Sequence, residues 1–165
     1  MKLEEAEKIG NEFKELISPF CKVCEIAGSV RRRKQTDIKD IEICCIPDGV
    51  KLDSYFVKDR IKKYENQEFV YVKNGDKYKQ LIWKGRKIDL FICRDEKTFG
   101  MLFLIRTGSA KFSEFILSQW KKLTGGKCKD NILYDKKGNA YPCANEEEVF
   151  KKINMYFIEP HNRNY

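Results

Sequence analysis

The segment GSVRR at positions 28–32, followed by DIEICCI at positions 40–46, carries the strongest structural signal in this chain. It predicts a tight glycine-serine turn that leads into a buried strand with two carboxylates, Asp40 and Glu42. Side chains two positions apart on a strand point to the same face, so the two carboxylates project together while the intervening isoleucines enter the core. Carboxylates on one rigid face favour a hard cation such as Mg²⁺, which prefers oxygen ligands and also binds phosphates.

A third carboxylate, Asp89, lies in a second apolar segment at positions 87–92. A buried and unpaired carboxylate is costly, so Asp89 is expected to face a partner or a metal. If its strand lies next to that of Asp40 and Glu42, the three acids converge. Three carboxylates can hold two divalent ions in the arrangement that supports in-line displacement at phosphorus. We therefore predict that these acids are ligands of two Mg²⁺ ions, with Mn²⁺ as a possible substitute.

The composition is that of a globular protein with one domain or two small subdomains. Of the 165 residues, 42% are hydrophobic and 13% aromatic, which excludes a disordered chain. No apolar run approaches a membrane span, and the first residues form an amphipathic helix rather than a signal peptide, so no membrane partner is expected. Seven cysteines without a secretory signal favour reduced thiols and a cytoplasmic location. The net charge of +8 is compatible with a nucleic-acid partner.

The apolar periodicity predicts an α+β fold in which a mixed sheet with packed helices precedes a smaller α+β region. The pattern changes near residue 100, which divides the chain into residues 1–99 and 100–165. Helices are predicted over 3–17, 52–64, 101–105 and 110–123, and from residue 146 with Asn145 as its cap. Strands are predicted over 21–27, 40–46, 68–73, 77–83 and 87–92, with a hairpin from 131–134 and 140–141 and an extended tail at 157–160.

The catalytic motifs resemble those of the family X DNA polymerases, the group that includes DNA polymerase beta. That family has a Gly-Ser-x-Arg-Arg turn, two acids on one strand and a third acid on a later strand. The matching positions here are 28–32, Asp40 with Glu42, and Asp89. The resemblance implies that these three acids are the catalytic residues.

The resemblance continues into the second half of the chain. Residues 104–109 resemble the family's Tyr-Phe-Thr-Gly-Ser segment, where the sugar and base of the nucleotide bind. Residues 147–150 and 156–160, together with Arg163, resemble the end of its thumb subdomain. The implied fold is a nucleotidyltransferase palm over residues 1–99 and a small α+β thumb over residues 100–165. This is the reduced palm-plus-thumb form of some small viral members, without lyase and fingers domains.

The implied activity is that of a metal-dependent DNA nucleotidyltransferase. It would add dNMP from dNTP to a DNA 3′-hydroxyl and release pyrophosphate, as in gap-filling repair synthesis. Gapped or primer-template DNA and dNTP are then the partners, Mg²⁺ is the cofactor, and a monomer is expected. The location would be the cytoplasm, or the host cytoplasm for a viral protein.

The resemblance also assigns binding residues, with Ser29 and Arg32 on the β- and γ-phosphates. The nucleotide-binding set is Gly28, Ser29, Arg32, Lys39, Arg106, Thr107, Gly108, Ser109 and Ser113. The DNA-binding set is Arg31, Arg33, Lys34, Lys121 and Lys122.

Several positions depart from the family pattern, and they leave other acceptors open. Glu42 replaces the second aspartate, Lys39 replaces a glycine, and 105–106 replace an aromatic pair. Ala110, Ser113 and Leu117 replace side chains that contact the base or the template. A second hypothesis is therefore template-independent transfer to an RNA, protein or small-molecule acceptor. A third is a nucleic-acid-binding module without catalysis, which the presence of all three acids disfavours.

Cys21 and Cys24 have the spacing of a zinc knuckle or a redox pair. Zinc needs four ligands, the chain offers no second pair with this spacing, and its one histidine is His161. We therefore favour two structural thiols on a strand over a metal or redox site.

Overall fold

The protein is described by a computed structural model that covers residues 1–165 apart from the side chain of Tyr64. The chain divides into two compact units. The first contains Met1–Val30 and Lys34–Arg94, and the second contains Arg31–Arg33 and Asp95–Tyr165. The second unit therefore begins after Arg94, and the basic run at 31–33 is also part of it.

The first unit is built on a mixed five-stranded sheet. Its strands are β1 (Cys21–Ile26), β2 (Ile41–Pro47), β3 (Val70–Asn74), β4 (Tyr78–Trp83) and β5 (Arg86–Ile92). They lie in the order β1-β2-β5-β4-β3. The central pair, β2 and β5, is parallel, and the other neighbouring pairs are antiparallel. Parallel neighbours need a long crossover, which the segment with helix α3 (Lys51–Arg60) and the β3–β4 hairpin supplies.

One face of this sheet forms the core of the first unit. Helix α1 (Leu3–Ile17) places apolar residues at helical spacing and buries them on the sheet, Phe13 and Ile17 completely. From the sheet, alternate residues of β2 and β5 enter the same cluster, among them Ile43 and Leu90. The residues between them must point to the opposite face, because side chains alternate along a strand. The acids of β2 and β5 are on that opposite face.

The second unit packs three helices and a small antiparallel sheet around its own core. The helices are α4 (Phe99–Thr107), α5 (Ala110–Thr124) and α6 (Glu146–Lys152), and the strands are β6 (Lys127–Lys129), β7 (Ile132–Tyr134) and β8 (Ala140–Tyr141). Trp120 of α5 is buried in this core, and its Nε1 donates to the Tyr134 carbonyl at 2.7 Å. Asn145 caps α6 as predicted, because its Oδ1 accepts from the Glu148 amide at 2.9 Å.

The predicted mixed α+β architecture is confirmed, with differences at the ends of elements. Helix α3 ends at Arg60 rather than at residue 64, and α4 extends over 99–107 rather than 101–105. Strand β6 was not predicted, because a Lys-Cys-Lys segment offers no apolar alternation. A short helix, α2 (Gly28–Arg31), follows β1 at the predicted turn. Within the described chain, no helix is both long and apolar enough to cross a bilayer.

Candidate active site

The two acidic strands of the first unit lie side by side. β2 and β5 pair in parallel, with Glu42 opposite Asp89. Asp40 comes directly before β2 and two positions before Glu42, which places its side chain on the same face of an extended chain. The intervening Ile41 is completely buried on the core face.

Lys87 of β5 is surrounded by the charges of these acids. Its Nζ lies 3.0 Å from Asp40 Oδ2, and the two side chains are 36% and 30% exposed. The hydrogen bond to Asp40 raises the pKa of Lys87 above its usual value although partial burial opposes the shift. The negative charges of Asp89 and Glu42 add to the increase in pKa. One ammonium group therefore interacts electrostatically with all three predicted acids.

Asp89 is the most buried of the three, with 8% of the residue exposed. Its Oδ1 accepts hydrogen bonds from Tyr78 Oη at 2.8 Å and from Gln80 Nε2 at 3.0 Å. Both donors come from β4, which places Gln80 directly opposite Asp89. Burial raises the pKa of Tyr78 to about 12, and the hydrogen bond to Asp89 adds to that shift. The Tyr78 hydroxyl is thus a protonated donor at neutral pH, and a buried carboxylate has the partners it needs.

Gly28 is required at its position for two reasons. Its φ is +58°, a backbone conformation that L-residues with a side chain rarely adopt. A Cβ at this position would also lie 1.7 Å from Glu42 Oε2. The glycine therefore lets the Glu42 carboxylate lie against the backbone of the turn.

The three acids offer carboxylate oxygens on one face of the sheet. Oxygen is the ligand atom that a hard divalent cation such as Mg²⁺ prefers. No group of three or more His, Cys, Asp or Glu side chains among the described residues is already placed to hold a metal ion. Asp40 is bound by Lys87, while Asp89 is bound by Tyr78 and Gln80. A cation that binds Asp40 would share this carboxylate with Lys87 or compete with it. The convergence of all three acids on two ions stays a prediction.

Arg31, which we expect to contact DNA, has several partners within the second unit. Its Nη1 and Nη2 lie 2.7 and 2.9 Å from the two carboxylate oxygens of Glu146. Nη1 also donates to Thr107 Oγ1 at 2.7 Å, and the guanidinium lies 3.8 Å from the centre of the Phe103 ring. These contacts fix the position of Arg31 within the second unit, and its contact with DNA stays a prediction.

Glu146 also forms an ion pair with a second arginine, Arg163. Arg163 Nη1 donates to its Oε1 at 2.6 Å, and both side chains are buried. Burial alone would raise the pKa of Glu146, but the hydrogen bonds from Arg31 and Arg163 hold it below its usual value. The carboxylate is therefore charged and shared between two guanidinium groups.

Arg32 lies beside the turn that was predicted to bind nucleotide. Its Nη1 donates to the Thr107 carbonyl at 2.7 Å, and its Nε donates to Asn164 Oδ1 at 2.7 Å. Residues 32 and 107 are 75 positions apart in sequence, and the second unit brings them into contact. Two groups that were both predicted to bind nucleotide are thus adjacent.

The other residues that were predicted to bind nucleotide or DNA differ in their hydrogen bonds and in their exposure. Ser109 caps α5, since its Oγ accepts from the Phe112 amide at 3.2 Å, and Ser113 Oγ donates to the Ile105 carbonyl at 3.2 Å. Gly108 and Ser29 are partly buried. Six of the basic residues that were predicted to bind nucleotide or DNA are exposed: Arg33, Lys34, Lys39, Arg106, Lys121 and Lys122. Exposure leaves these six accessible to an anionic partner.

The cysteine pair shows no sign of reactive thiolates. Cys21 and Cys24 are free thiols, and Cys24 is buried. Their mutual hydrogen bond raises the pKa of Cys24, and burial adds to the shift. Because the thiolate is the nucleophile and the metal ligand, these observations favour the structural interpretation.

Residues 102–164 match the family model of the DNA polymerase beta thumb. The match covers most of the second unit but less than half of the chain, and it supports a family X polymerase-like relationship. It supports DNA binding and a polymerase-like function. No curated protein matches the chain.

Sequence reasoning missed four polar residues that surround the predicted site residues. Lys87, Tyr78 and Gln80 contact or neutralise the acids, and Asn164 contacts Arg32. Tyr78 and Gln80 are two positions apart on a predicted strand, which was a usable signal that they share a face. Their pairing with Asp89 depends on strand register, and nothing in the local sequence encodes the contact of Asn164.

Proposed function

We propose that this chain is a metal-dependent DNA nucleotidyltransferase that transfers dNMP from dNTP to a DNA 3′-hydroxyl, with gap-filling repair synthesis as its use. The thumb match supports a DNA partner and a polymerase-like function. The observation that carries the chemical proposal is the parallel pairing of β2 and β5 with Glu42 opposite Asp89. This pairing places carboxylates from two strands on one face, beside a glycine turn.

In this proposal Asp40, Glu42 and Asp89 hold two divalent cations. Such ions, when bound, neutralise phosphate charge and lower the pKa of the attacking hydroxyl. Tyr78 and Gln80 both donate to Asp89 Oδ1, which fixes the plane of that carboxylate. Asp89 Oδ2 is then the oxygen that accepts the proton of the 3′-hydroxyl.

Other residues of the chain bind and position the substrates. Ser29 and Arg32 contact the β- and γ-phosphates, and the turn at 107–109 contacts the sugar of the nucleotide. The exposed basic residues Arg33, Lys34, Lys121 and Lys122 contact DNA phosphates, which positions a duplex without selecting sequence. The protein forms no covalent bond to the substrate in this reaction. The rate enhancement therefore comes from positioning the substrates and from neutralising the charge of the phosphates.

The test is primer extension on a one-nucleotide gap with labelled dNTPs and either Mg²⁺ or Mn²⁺. The unmodified protein is expected to add one nucleotide, and Asp89→Asn is expected to reduce the rate by a factor on the order of 10³ or more, as loss of a group that acts in the transition state does. Asp76→Asn, an exposed acid in the β3–β4 turn, is the matched control and should retain full activity.

Addition to no DNA substrate with either metal would contradict the proposal, as would an Asp89→Asn variant that is as active as the parent. Parallel reactions with RNA ends, with unpaired DNA and with NTPs identify the acceptor. Transfer to RNA alone, or transfer that does not depend on the template, would contradict a role in DNA repair. Either result would support the second hypothesis, in which the enzyme acts on another acceptor without a template.

A further inference from the structure

The segment Arg163–Tyr165 lies along the turn at 107–109 and is held there by several contacts. The Arg163 side chain is completely buried, and its carbonyl accepts from the Ser109 amide at 3.1 Å. The Tyr165 ring packs edge-on against Phe112 with the ring centres 5.0 Å apart. Ser109 Oγ also donates to the Tyr165 carbonyl at 3.3 Å. The residue between these two anchors, Asn164, has a fixed backbone position.

The side-chain amide of Asn164 also has a determined orientation. Its Nδ2 donates to the His161 carbonyl at 3.0 Å, and a carbonyl can only accept. The Oδ1 atom therefore faces the other way, where it accepts from Arg32 Nε at 2.7 Å. A hydrogen bond from a charged guanidinium to a fixed acceptor is stronger than one between neutral groups.

Asn164 and Thr107 thus both hold Arg32. Asn164 Oδ1 binds its Nε, and the Thr107 carbonyl binds its Nη1. The guanidinium is planar and its five N–H groups have fixed directions, so two contacts in that plane set the direction of the whole group. The Thr107 carbonyl belongs to the last turn of α4, where backbone carbonyls have no helical donor, which explains why it is available to Arg32.

We propose that Asn164 is a positioning residue that orients Arg32 toward the oligophosphate group of the nucleotide. The inference rests on the proposed function, since it deepens the role of Arg32 there. Asn164 itself does not contact the phosphates. It acts by lowering the conformational freedom of the arginine, so that less entropy is lost when the anion binds.

Direct binding of inorganic tripolyphosphate tests this step without any need for catalysis. Asn164→Leu has similar size and lacks the acceptor, and the exposed position of Asn164 makes the substitution compatible with folding. Because the freed arginine must then be ordered when the anion binds, Asn164→Leu is expected to weaken tripolyphosphate binding by about tenfold. Asn164→Asp retains an acceptor for Arg32 and should bind about as tightly as the parent. Asn162→Leu, at an exposed asparagine two positions away, is the matched control.

A double-mutant cycle separates positioning from a merely structural role. In an Arg32→Ala background, Asn164→Leu is expected to change the binding of tripolyphosphate by less than about twofold, because the group that it orients is gone. A tenfold loss that persists without Arg32 would overturn the proposal, as would an Asn164→Leu variant that binds as tightly as the parent. A parent protein that does not bind tripolyphosphate would also overturn it.

The failure of this inference is distinguishable from failure of the proposed function. If the parent adds nucleotide to DNA while Asn164→Leu retains its tripolyphosphate affinity and its KM for dNTP, only the role of Asn164 is wrong. If the parent adds no nucleotide to any acceptor, the proposed activity is wrong, and the binding measurements still decide whether Asn164 orients Arg32 toward phosphate.

Discussion

Arg163 and Glu146 form a buried ion pair in the second unit, with Nη1 and Oε1 2.6 Å apart and the side chains 0% and 5% exposed. Arg31 binds the same carboxylate with two further hydrogen bonds. Removing one member of a buried pair leaves a charge without compensation, which costs far more than an exposed pair contributes. Glu146 therefore links residues that are distant in sequence, and its loss should affect the whole unit.

Replacing Glu146 with glutamine is expected to destabilise the protein by about 3–5 kcal/mol, because two guanidinium groups then face a neutral amide. Urea unfolding followed by circular dichroism measures the change in free energy. Glu147→Gln, at the exposed neighbouring position, is the control and should differ from the parent by less than about 0.5 kcal/mol. Equal stabilities of the two variants would show that the ion pair contributes little.

Glu146 should also give the second unit a sensitivity to acid. Its pKa is lowered in the folded protein, whereas in the unfolded chain it returns to about 4.3. The carboxylate therefore stabilises the fold above that value, and its contribution is lost as the pH falls through the folded-state pKa. Unfolding midpoints measured between neutral pH and pH 3 should fall more steeply for the parent than for Glu146→Gln. Parallel curves for both proteins would contradict this assignment.

Substitution of Gly28 by alanine is expected to displace the Glu42 carboxylate, because the new Cβ would lie 1.7 Å from its Oε2. Gly49 provides a control, since its φ of +55° is similar but no atom lies within 4 Å of its Cβ position. Gly49→Ala should cost only the backbone strain of about 1–2 kcal/mol. Gly28→Ala should cost more in thermal unfolding and should also lose nucleotide transfer. Equal effects of the two substitutions would mean that the contact with Glu42 is unimportant.

Loss of the Lys87 ammonium should make the acidic face depend more on divalent cations. In Lys87→Met the charges of Asp40, Glu42 and Asp89 lose the compensation that Lys87 gives them, so a bound divalent ion is favoured. The Tm is expected to fall in chelator and to rise with Mn²⁺ by more than the Tm of the parent does. A tenfold gain in affinity corresponds to about 1.4 kcal/mol of added stabilisation at saturating metal.

Lys84→Met is the control for this measurement, because Lys84 pairs with Glu12 in the first unit. Its response to Mn²⁺ should match that of the parent. If Lys87→Met also responds like the parent, Lys87 does not compete with a cation for these acids.

Tyr78→Phe removes the hydroxyl that donates to Asp89 Oδ1 at 2.8 Å. Gln80 remains as a donor, so the carboxylate should lose part of its orientation, and we expect the transfer rate to fall by about tenfold. Burial raises the pKa of Tyr78 to about 12, so the hydroxyl stays protonated and the parent's rate should show no loss from this group up to pH 10. Single-turnover extension across pH 6–10 tests both statements, and a Tyr78→Phe variant with full activity would contradict them.

Local patterns were sufficient for most of the secondary structure. The apolar spacing predicted α1 at its observed bounds, and Asn145 before a run of glutamates predicted the start of α6. These features succeed because helical spacing and capping depend on residues three to four positions apart. The same local patterns did not predict strand β6, because its pairing with β7 depends on the partner strand rather than on its own apolar residues.

The sequence by itself determined that Asp40 and Glu42 share a face of an extended segment, because this follows from backbone geometry over three residues. Only the tertiary structure decided that Asp89 stands opposite Glu42, that Lys87 lies among the acids and that Glu146 is shared by two arginines. Strand order, register and buried ion pairing join residues up to 115 positions apart. Their free energies come from packing and desolvation in the folded chain, which no short segment contains.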